Sequence, residues 1–326
     1  ESVWTGSLSS GYQTAANAFF ESGVVQYSKD KWAVRANITY RKASDYRSGE
    51  GKIIPYSAYE KLNYGLSVKY NINQKLSLKT DILFDDGWNI GYPALPMDVG
   101  YAAARIVSVS LLKENENGSF KNSEFKIYAN RIYHLMDDTH RKDVYMHMDM
   151  PGLSKTFGAY ANTQYTISKK QNLQLRADIS STELWASMTM YQTNQTPMYM
   201  LTWPNNRSIQ AGVAATYKNK LDSLNTLVIS TRIDQFINSL ITDEAKNHIA
   251  VLQKPTDNIN RTLKNLSAEF THQFGKHFKA STTLAYAERM PTATELYGFY
   301  LFNAFDNYDY LGNTTLTTEQ ALKADV

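Results

Sequence analysis

Apolar and polar residues alternate with a period of two along most of this chain. From Lys31 to Arg41, Trp32, Val34, Ala36, Ile38 and Tyr40 fall on one face, and Lys31, Arg35, Asn37, Thr39 and Arg41 on the other. The split recurs at Leu62, Tyr64, Leu66, Val68 and Tyr70, at Leu173, Leu175, Ala177 and Ile179, and at Ile209, Ala211, Val213, Ala215 and Tyr217. Residues 262–274 and 278–286 repeat it with Leu266, Ala268, Phe270, Phe274, Phe278, Ala280, Leu284 and Tyr286. A period of two predicts β-strands with one greasy and one wet face, and about fourteen such strands fit.

The connections predict how these strands are arranged. Short turns are expected near 28–31, 71–75, 168–172, 218–222 and 275–277, with a somewhat longer one at 113–122. Between them the reading places long loops at 43–57, 85–99, 134–151, 182–207, 237–260 and 288–318. Short turns at one end and long loops at the other are the pattern of a transmembrane antiparallel β-barrel. Trp32, Tyr70, Tyr165, Tyr217, Phe274 and Phe278 lie on the apolar face close to the short turns, where an interfacial girdle belongs. Trp32 to Tyr40 and Phe278 to Tyr286 would span roughly 20 Å of bilayer at about 3.3 Å per residue and about 40° of tilt. A soluble propeller or sandwich fits less well, because its long connections are not confined to one end.

Composition changes this picture little. No stretch of eighteen apolar residues is present, which excludes an ordinary transmembrane helix but not a strand-built span. Lys and Arg number 34 against 31 Asp and Glu, and they are dispersed, so no nucleic-acid footprint is seen. The chain has no cysteine, so a soft-metal site must be built from Met and His.

Two segments resemble a known family. Arg289-Met290-Pro291-Thr292-Ala293-Thr294-Glu295-Leu296-Tyr297-Gly298, followed by Leu311-Gly312-Asn313 and Glu319, resembles the late-barrel signature of TonB-dependent outer-membrane receptors. Asp45-Tyr46-Arg47-Ser48-Gly49-Glu50-Gly51 is similar to an early-barrel signature of the same family. The resemblance implies a 22-stranded barrel in the outer membrane of a Gram-negative bacterium, an N-terminal plug and a TonB box. Residues 1–326 are then expected to be a partial barrel domain, about 14 strands of 22, with plug and final strands outside the chain. The implied partners are outer-membrane lipid, the TonB complex reached through that plug, and a small ligand or metal complex.

Candidate chemistry concentrates between Tyr133 and Gly152, which hold His134, Met136, His140, Met146, His147, Met148 and Met150. Phe125, Ile127 and Ala129 set the odd positions outward, so His134 and Met136 are expected to face the lumen, and the returning strand puts Met146, Met148 and Met150 on the same side. Pairing about residue 142 would set His134 opposite Met150 and Met136 opposite Met148. A second hairpin about Asn194 would set Met190 opposite Met198 and Met188 opposite Met200. His140 and His147 fall outside this pattern and read as solvated loop residues. All ten methionines are expected in the long loops or at their rims.

Thioether and imidazole donors suit Cu(I), and thioethers need no deprotonation. His134-Leu135-Met136-Asp137 also resembles the His-x-Met pair of TonB-dependent copper receptors, whose plug supplies a Cys-x-x-x-Met motif. The expected cargo is copper or a copper complex, held by His134, Met136, Met146, Met148 and Met150, with Met188, Met190, Met198 and Met200 as weaker ligand contacts. Flexible, polarizable Met surfaces serve iron-siderophores or cobalamin equally well. A passive porin or adhesion barrel shares the strands but lacks a plug. Asp306 and Asp309 are a weak Ca²⁺ candidate. The acidic pairs Asp85-Asp86 and Asp137-Asp138 have no accompanying nucleophile, so the reading is not that of an enzyme, and no cofactor is expected.

Overall fold

A computed structural model describes residues 2–115, 119–142, 144, 146–254, 256, 258–303 and 306–326. Its strands are β1 Val3–Gln13, β2 Ala18–Lys29, β3 Trp32–Ala43, β4 Tyr59–Asn71, β5 Leu76–Ile90, β6 Asp98–Glu114, β7 Phe120–Asp137 and β8 His147–Thr166. They continue as β9 Gln171–Tyr191, β10 Met198–Lys220, β11 Asn225–Leu240, β12 Asn258–Phe274, β13 Phe278–Arg289, β14 Leu301–Asn303, β15 Tyr308–Tyr310 and β16 Glu319–Asp325. Among the described residues two α-helices, α1 Asp243–Ala250 and α2 Ala293–Tyr297, and a 3-10 turn at Thr14–Ala16 interrupt them. β1 to β13 and then β16 form one antiparallel sheet of 14 strands in chain order, each paired with its sequence neighbour in the sheet. β14 and β15 form a separate small hairpin.

The short turns are closed by local polar chemistry. The Asn73 side chain accepts hydrogen bonds from the Lys75 and Leu76 amides at 2.9 and 3.0 Å, and Asp222 accepts from those of Leu224 and Asn225 at 2.7 and 2.9 Å. Both are Asx turns, which reverse the chain in the fewest residues.

The two faces of the sheet differ as the alternation predicts. Outward positions are apolar and exposed, among them Phe157, Leu284 and Val213 at 62%, 60% and 58%. The inner face is polar and self-paired. Arg232 donates to both carboxylate oxygens of Asp178 at 2.9 Å and from Nε to Asp234 at 2.7 Å, while Gln210 donates to Asp234 at 2.9 Å. At the short-turn end, ring pairs Trp4–Tyr27, Trp32–Tyr70, Phe120–Tyr165 and Phe274–Phe278 stand 4.5 to 5.4 Å apart and form an aromatic girdle. Above it the outer face runs Thr163, Ala161, Ala159, Phe157 on β8 and Ala215, Val213, Ala211, Ile209 on β10 before the first charges, Lys155 and Arg207. Ten residues separate Tyr165 from Lys155 and Tyr217 from Arg207. At about 3.3 Å per residue and about 40° of tilt this is roughly 25 Å, the height of an outer-membrane apolar belt.

The long loops are shorter than the alternation suggests. The strands run well past the belt, so the expected loops at 85–99, 134–151 and 182–207 shrink to 91–97, 138–146 and 192–197. Above the hydrocarbon neither face has to be apolar, and the pattern that marks a strand fades while its backbone ladder continues. The 237–260 and 288–318 loops hold the helices. Leu201, Leu240, Ile249, Ile259, Leu263, Met290, Leu296 and Tyr297 form a buried core with them.

The segment 289–298 is a structural staple. Thr292 and Glu295 make a reciprocal capping box at the start of α2. Arg289 donates to both oxygens of Glu295 at 2.9 and 3.0 Å and also pairs with Glu319 on β16. Gly312 packs on the α2 backbone so closely that a Cβ would lie 2.6 Å from the Leu296 carbonyl carbon.

The contrast between faces is testable. Val213→Arg on the outer face should destabilise the folded protein by about 2–4 kcal/mol, and Thr216→Arg on the inner face by less than about 1 kcal/mol. Urea titration of the vesicle-inserted protein measures both, and equal costs would overturn the assignment of faces.

Candidate functional site

The hairpins β7–β8 and β9–β10 carry the methionines into one patch of the inner face, above the apolar belt. Met148 on β8 pairs with Met190 on β9, and Met190 pairs with Met198 on β10. Met188 pairs with Met200, and Met136 pairs with Met150. Directly paired residues in an antiparallel sheet project to the same face with Cβ atoms about 4.5–5.5 Å apart. A ladder of thioethers therefore crosses β7 to β10. Met190 is buried, Met136, Met148, Met150, Met188 and Met200 are half-buried, and Met198 is exposed.

The β9–β10 register is the one expected, although β10 changes register twice, between Met200 and Trp203 and between Trp203 and Asn206. Each shift inserts one residue, so the parity set lower on the strand returns at the methionines. Pro204, which has no amide to donate, sits in this bulged segment.

The β7–β8 register differs from expectation. His134 stands opposite Gly152 rather than Met150, and Met136 opposite Met150 rather than Met148. Parity is unchanged and the face is kept, but the partners move by one pair. The tip sets this offset. The Asp138 carboxylate accepts from the Met148 amide at 3.0 Å and lies 2.9 Å from His147 Nδ1, which closes the hairpin there. His147 and His140 are exposed. Met146 is half-buried just before β8, outside the ladder.

The Gly152 position explains how His134 fits. A Cβ there would lie 2.6 Å from His134 Cε1 and 3.0 Å from Nε2, so only glycine leaves room for the ring. Burial pushes the imidazole below its ordinary pKa and favours the neutral, ligating form. Among the described residues neither ring nitrogen has a hydrogen-bond partner.

Two methionines do something else. Met290 belongs to the core beneath α2, and Met97 is buried before β6. Among the described residues, no three His, Asp or Glu side chains gather as a hard-metal site would need. Asp86 is held by Arg105 at 2.5 Å and Tyr101 at 2.9 Å, and Asp85 pairs with Lys61. Asp306 accepts from the Tyr308 amide and the Tyr310 hydroxyl of its own loop.

Sequence reasoning missed the residue that ties the loops together. Arg141, at the tip of the β7–β8 hairpin, donates to both oxygens of Asp98 at 2.9 and 2.6 Å and to the carbonyls of Tyr92 and Met97. Its guanidinium lies 3.8 Å from the Tyr56 ring centroid. Three connections, β3–β4, β5–β6 and β7–β8, thus meet on one side chain. A lone Arg in a polar loop carries no periodicity that would have flagged it.

No family model matches the chain, and no curated protein does. Solved structures do. The copper transporter OprC superposes with a TM-score of 0.81 at 18% identity, covering 99% of this chain and 50% of that one. The fold is that of a TonB-dependent receptor barrel. The hemophore receptor HasR of Serratia marcescens matches with a TM-score of 0.72 at 14% identity, over 98% of this chain and 49% of that one. The FrpB iron transporter of Neisseria meningitidis gives 0.67 at 15%, over 88% and 46%. The chain spans about half the length of the solved structures it matches.

Arg141→Ala should release the β5–β6 loop without unfolding the barrel. The Tyr92 amide, which donates to Asp98 at 3.0 Å, should exchange roughly tenfold faster or more. Hydrogen exchange resolved to residues 91–98 reads this, and unchanged protection there would sink the clasp.

Proposed function

We propose that this chain is the barrel portion of an outer-membrane receptor that takes up a scarce ligand by TonB-driven transport, with its plug and final strands outside residues 1–326. We further propose that the ligand is copper or a copper complex. The observation that carries the ligand reading is the thioether ladder Met148–Met190–Met198, flanked by Met136–Met150 and Met188–Met200, with a neutral imidazole at His134 beside it. Thioethers and imidazole are the donors that Cu(I) prefers, and they stay available without disulfide chemistry in an oxidising exterior. The fold match to a copper transporter supports the same reading. In this mechanism Met148, Met190 and Met198, nearest the hairpin tips, make the first contact, and exchange along neighbouring thioethers passes the ion down to Met136 and His134.

A second reading has its own support. Other barrels of this fold are iron, heme and siderophore receptors by name, and adaptable Met surfaces also hold organic ligands.

Cu(I) titration of the intact receptor against a chromophoric chelator separates the two. Relative to wild type, the double variant His134→Ala, Met136→Ala should bind roughly tenfold weaker or more, on the order of 1.4 kcal/mol. Equal affinities would remove that pair from the site, and tight binding of an iron-siderophore or cobalamin in place of copper would favour the second reading.

The pH dependence has a definite sign. His134 lies three residues beyond the charged edge of the belt, and its folded pKa is below the ordinary 6.5. Its contribution to copper affinity is full at neutral pH and falls as pH drops through that lowered value, because a protonated ring cannot ligate. Thioethers do not titrate, so His134→Ala should flatten the profile below pH 6.5. An unchanged slope in the variant would place the titrating ligand elsewhere.

A further inference from the structure

At the upper edge of the belt the register lines up charges on the outer face. Arg105 on β6 pairs with Arg131 on β7, Arg131 with Lys155 on β8, Lys155 with Glu183 on β9, and Glu183 with Arg207 on β10. The ends of this row are neutralised, Arg105 by Asp86 at 2.5 Å and Arg207 by Glu183 at 2.5 Å. The middle is not. Arg131 and Lys155 are exposed, directly opposite each other, and without an acidic partner among the described residues. Like charges placed opposite on neighbouring strands repel. With Arg105 held by Asp86 and Glu183 committed to Arg207, Arg131 and Lys155 leave a place for an anion between them.

The space for that anion is present. Arg105, Arg131, Lys155 and Glu183 rim a groove of about 440 Å³ whose floor is Val107, Ala129 and Phe157. The floor continues down the apolar belt, and the rings of Trp88, Tyr101 and Tyr133 follow one another at 6.2 and 6.3 Å beside the cations, as interfacial aromatics do. An anionic head at the cations with hydrocarbon on the floor below is the shape of a lipid at the membrane boundary.

We infer that this groove binds a phosphate-bearing lipid of the outer leaflet, its phosphate bridging Arg131 and Lys155 and its acyl chains lying over Val107, Ala129 and Phe157. Charge complementarity selects the occupant, because a neutral head would leave the two cations facing each other. The inference rests on the proposed outer-membrane reading, but not on the ligand that is transported.

The test is native mass spectrometry of the intact receptor released from nanodiscs that contain phosphatidylcholine with diphosphoryl lipid A, or with its dephosphorylated form. Wild type should retain the diphosphoryl lipid and not the dephosphorylated one, a comparison that needs no variant. Arg131→Ala, Lys155→Ala should weaken retention roughly thirtyfold, from about a fivefold effect per cation at an anionic lipid surface. Lys218→Ala, near the short turns, should leave it unchanged. Equal retention of both lipids, equal retention by wild type and double variant, or full displacement by millimolar inorganic phosphate would each overturn the lipid site. Failure of the wild type to enter the bilayer at all would instead overturn the membrane reading beneath it.

Discussion

In hydrocarbon an unpaired backbone N–H or C=O costs several kcal/mol, and the rest of this structure depends on meeting that demand. The continuous ladder from β1 to β13 and on to β16 meets it strand by strand. Once backbone pairing is obligatory, side chains have only two directions, and composition separates accordingly. Outward positions between Tyr165 and Lys155, or between Tyr217 and Arg207, carry apolar, small or hydroxyl side chains, while the inward ones carry the Arg232, Asp178 and Asp234 network. Those inner charges are tolerable because each is hydrogen-bonded to an opposite charge.

Above the belt the same ladder serves a different end. With no lipid to satisfy, the strands of β7 to β10 continue as tall hairpins, and pairing places side chains from different strands side by side at fixed spacing. That is how residues far apart in the chain, Met148, Met190 and Met198, come to share one row. The hairpins are held upright by two unlike devices. On one side Arg141 joins three connections through Asp98 and Tyr56. On the other, α1 and α2 close an apolar core around Leu201 and Tyr297, and the Arg289–Glu295–Glu319 cluster ties α2 to β16. A side-chain patch on such supports is preorganised, which would lower the ordering cost of the proposed ligand capture.

Strand existence and facing were legible because they follow from local alternation. The lumenal parity of Met136, Met148, Met150, Met188, Met190, Met198 and Met200 could be carried up from Phe125, Phe157 and Ile209, and even the two bulges in β10 left it intact. The partner of each residue was less legible. His134 faces Gly152 because Asp138 closes the tip, and a carboxylate that grips a backbone amide leaves no periodic trace. Loop lengths were misread for a related reason, since hydrophobic alternation reports the solvent on each side of a strand and not the strand itself.

The chain alone therefore determined the barrel class, the two faces and the set of inward soft donors, since each depends on a period of two that every strand states for itself. Only the tertiary structure decided which donors are neighbours, that Met290 is core, that Arg141 clasps three loops, and that Arg131 meets Lys155. Those are contacts between strands, and their register is set by turn geometry and bulges that act across the sheet rather than along it.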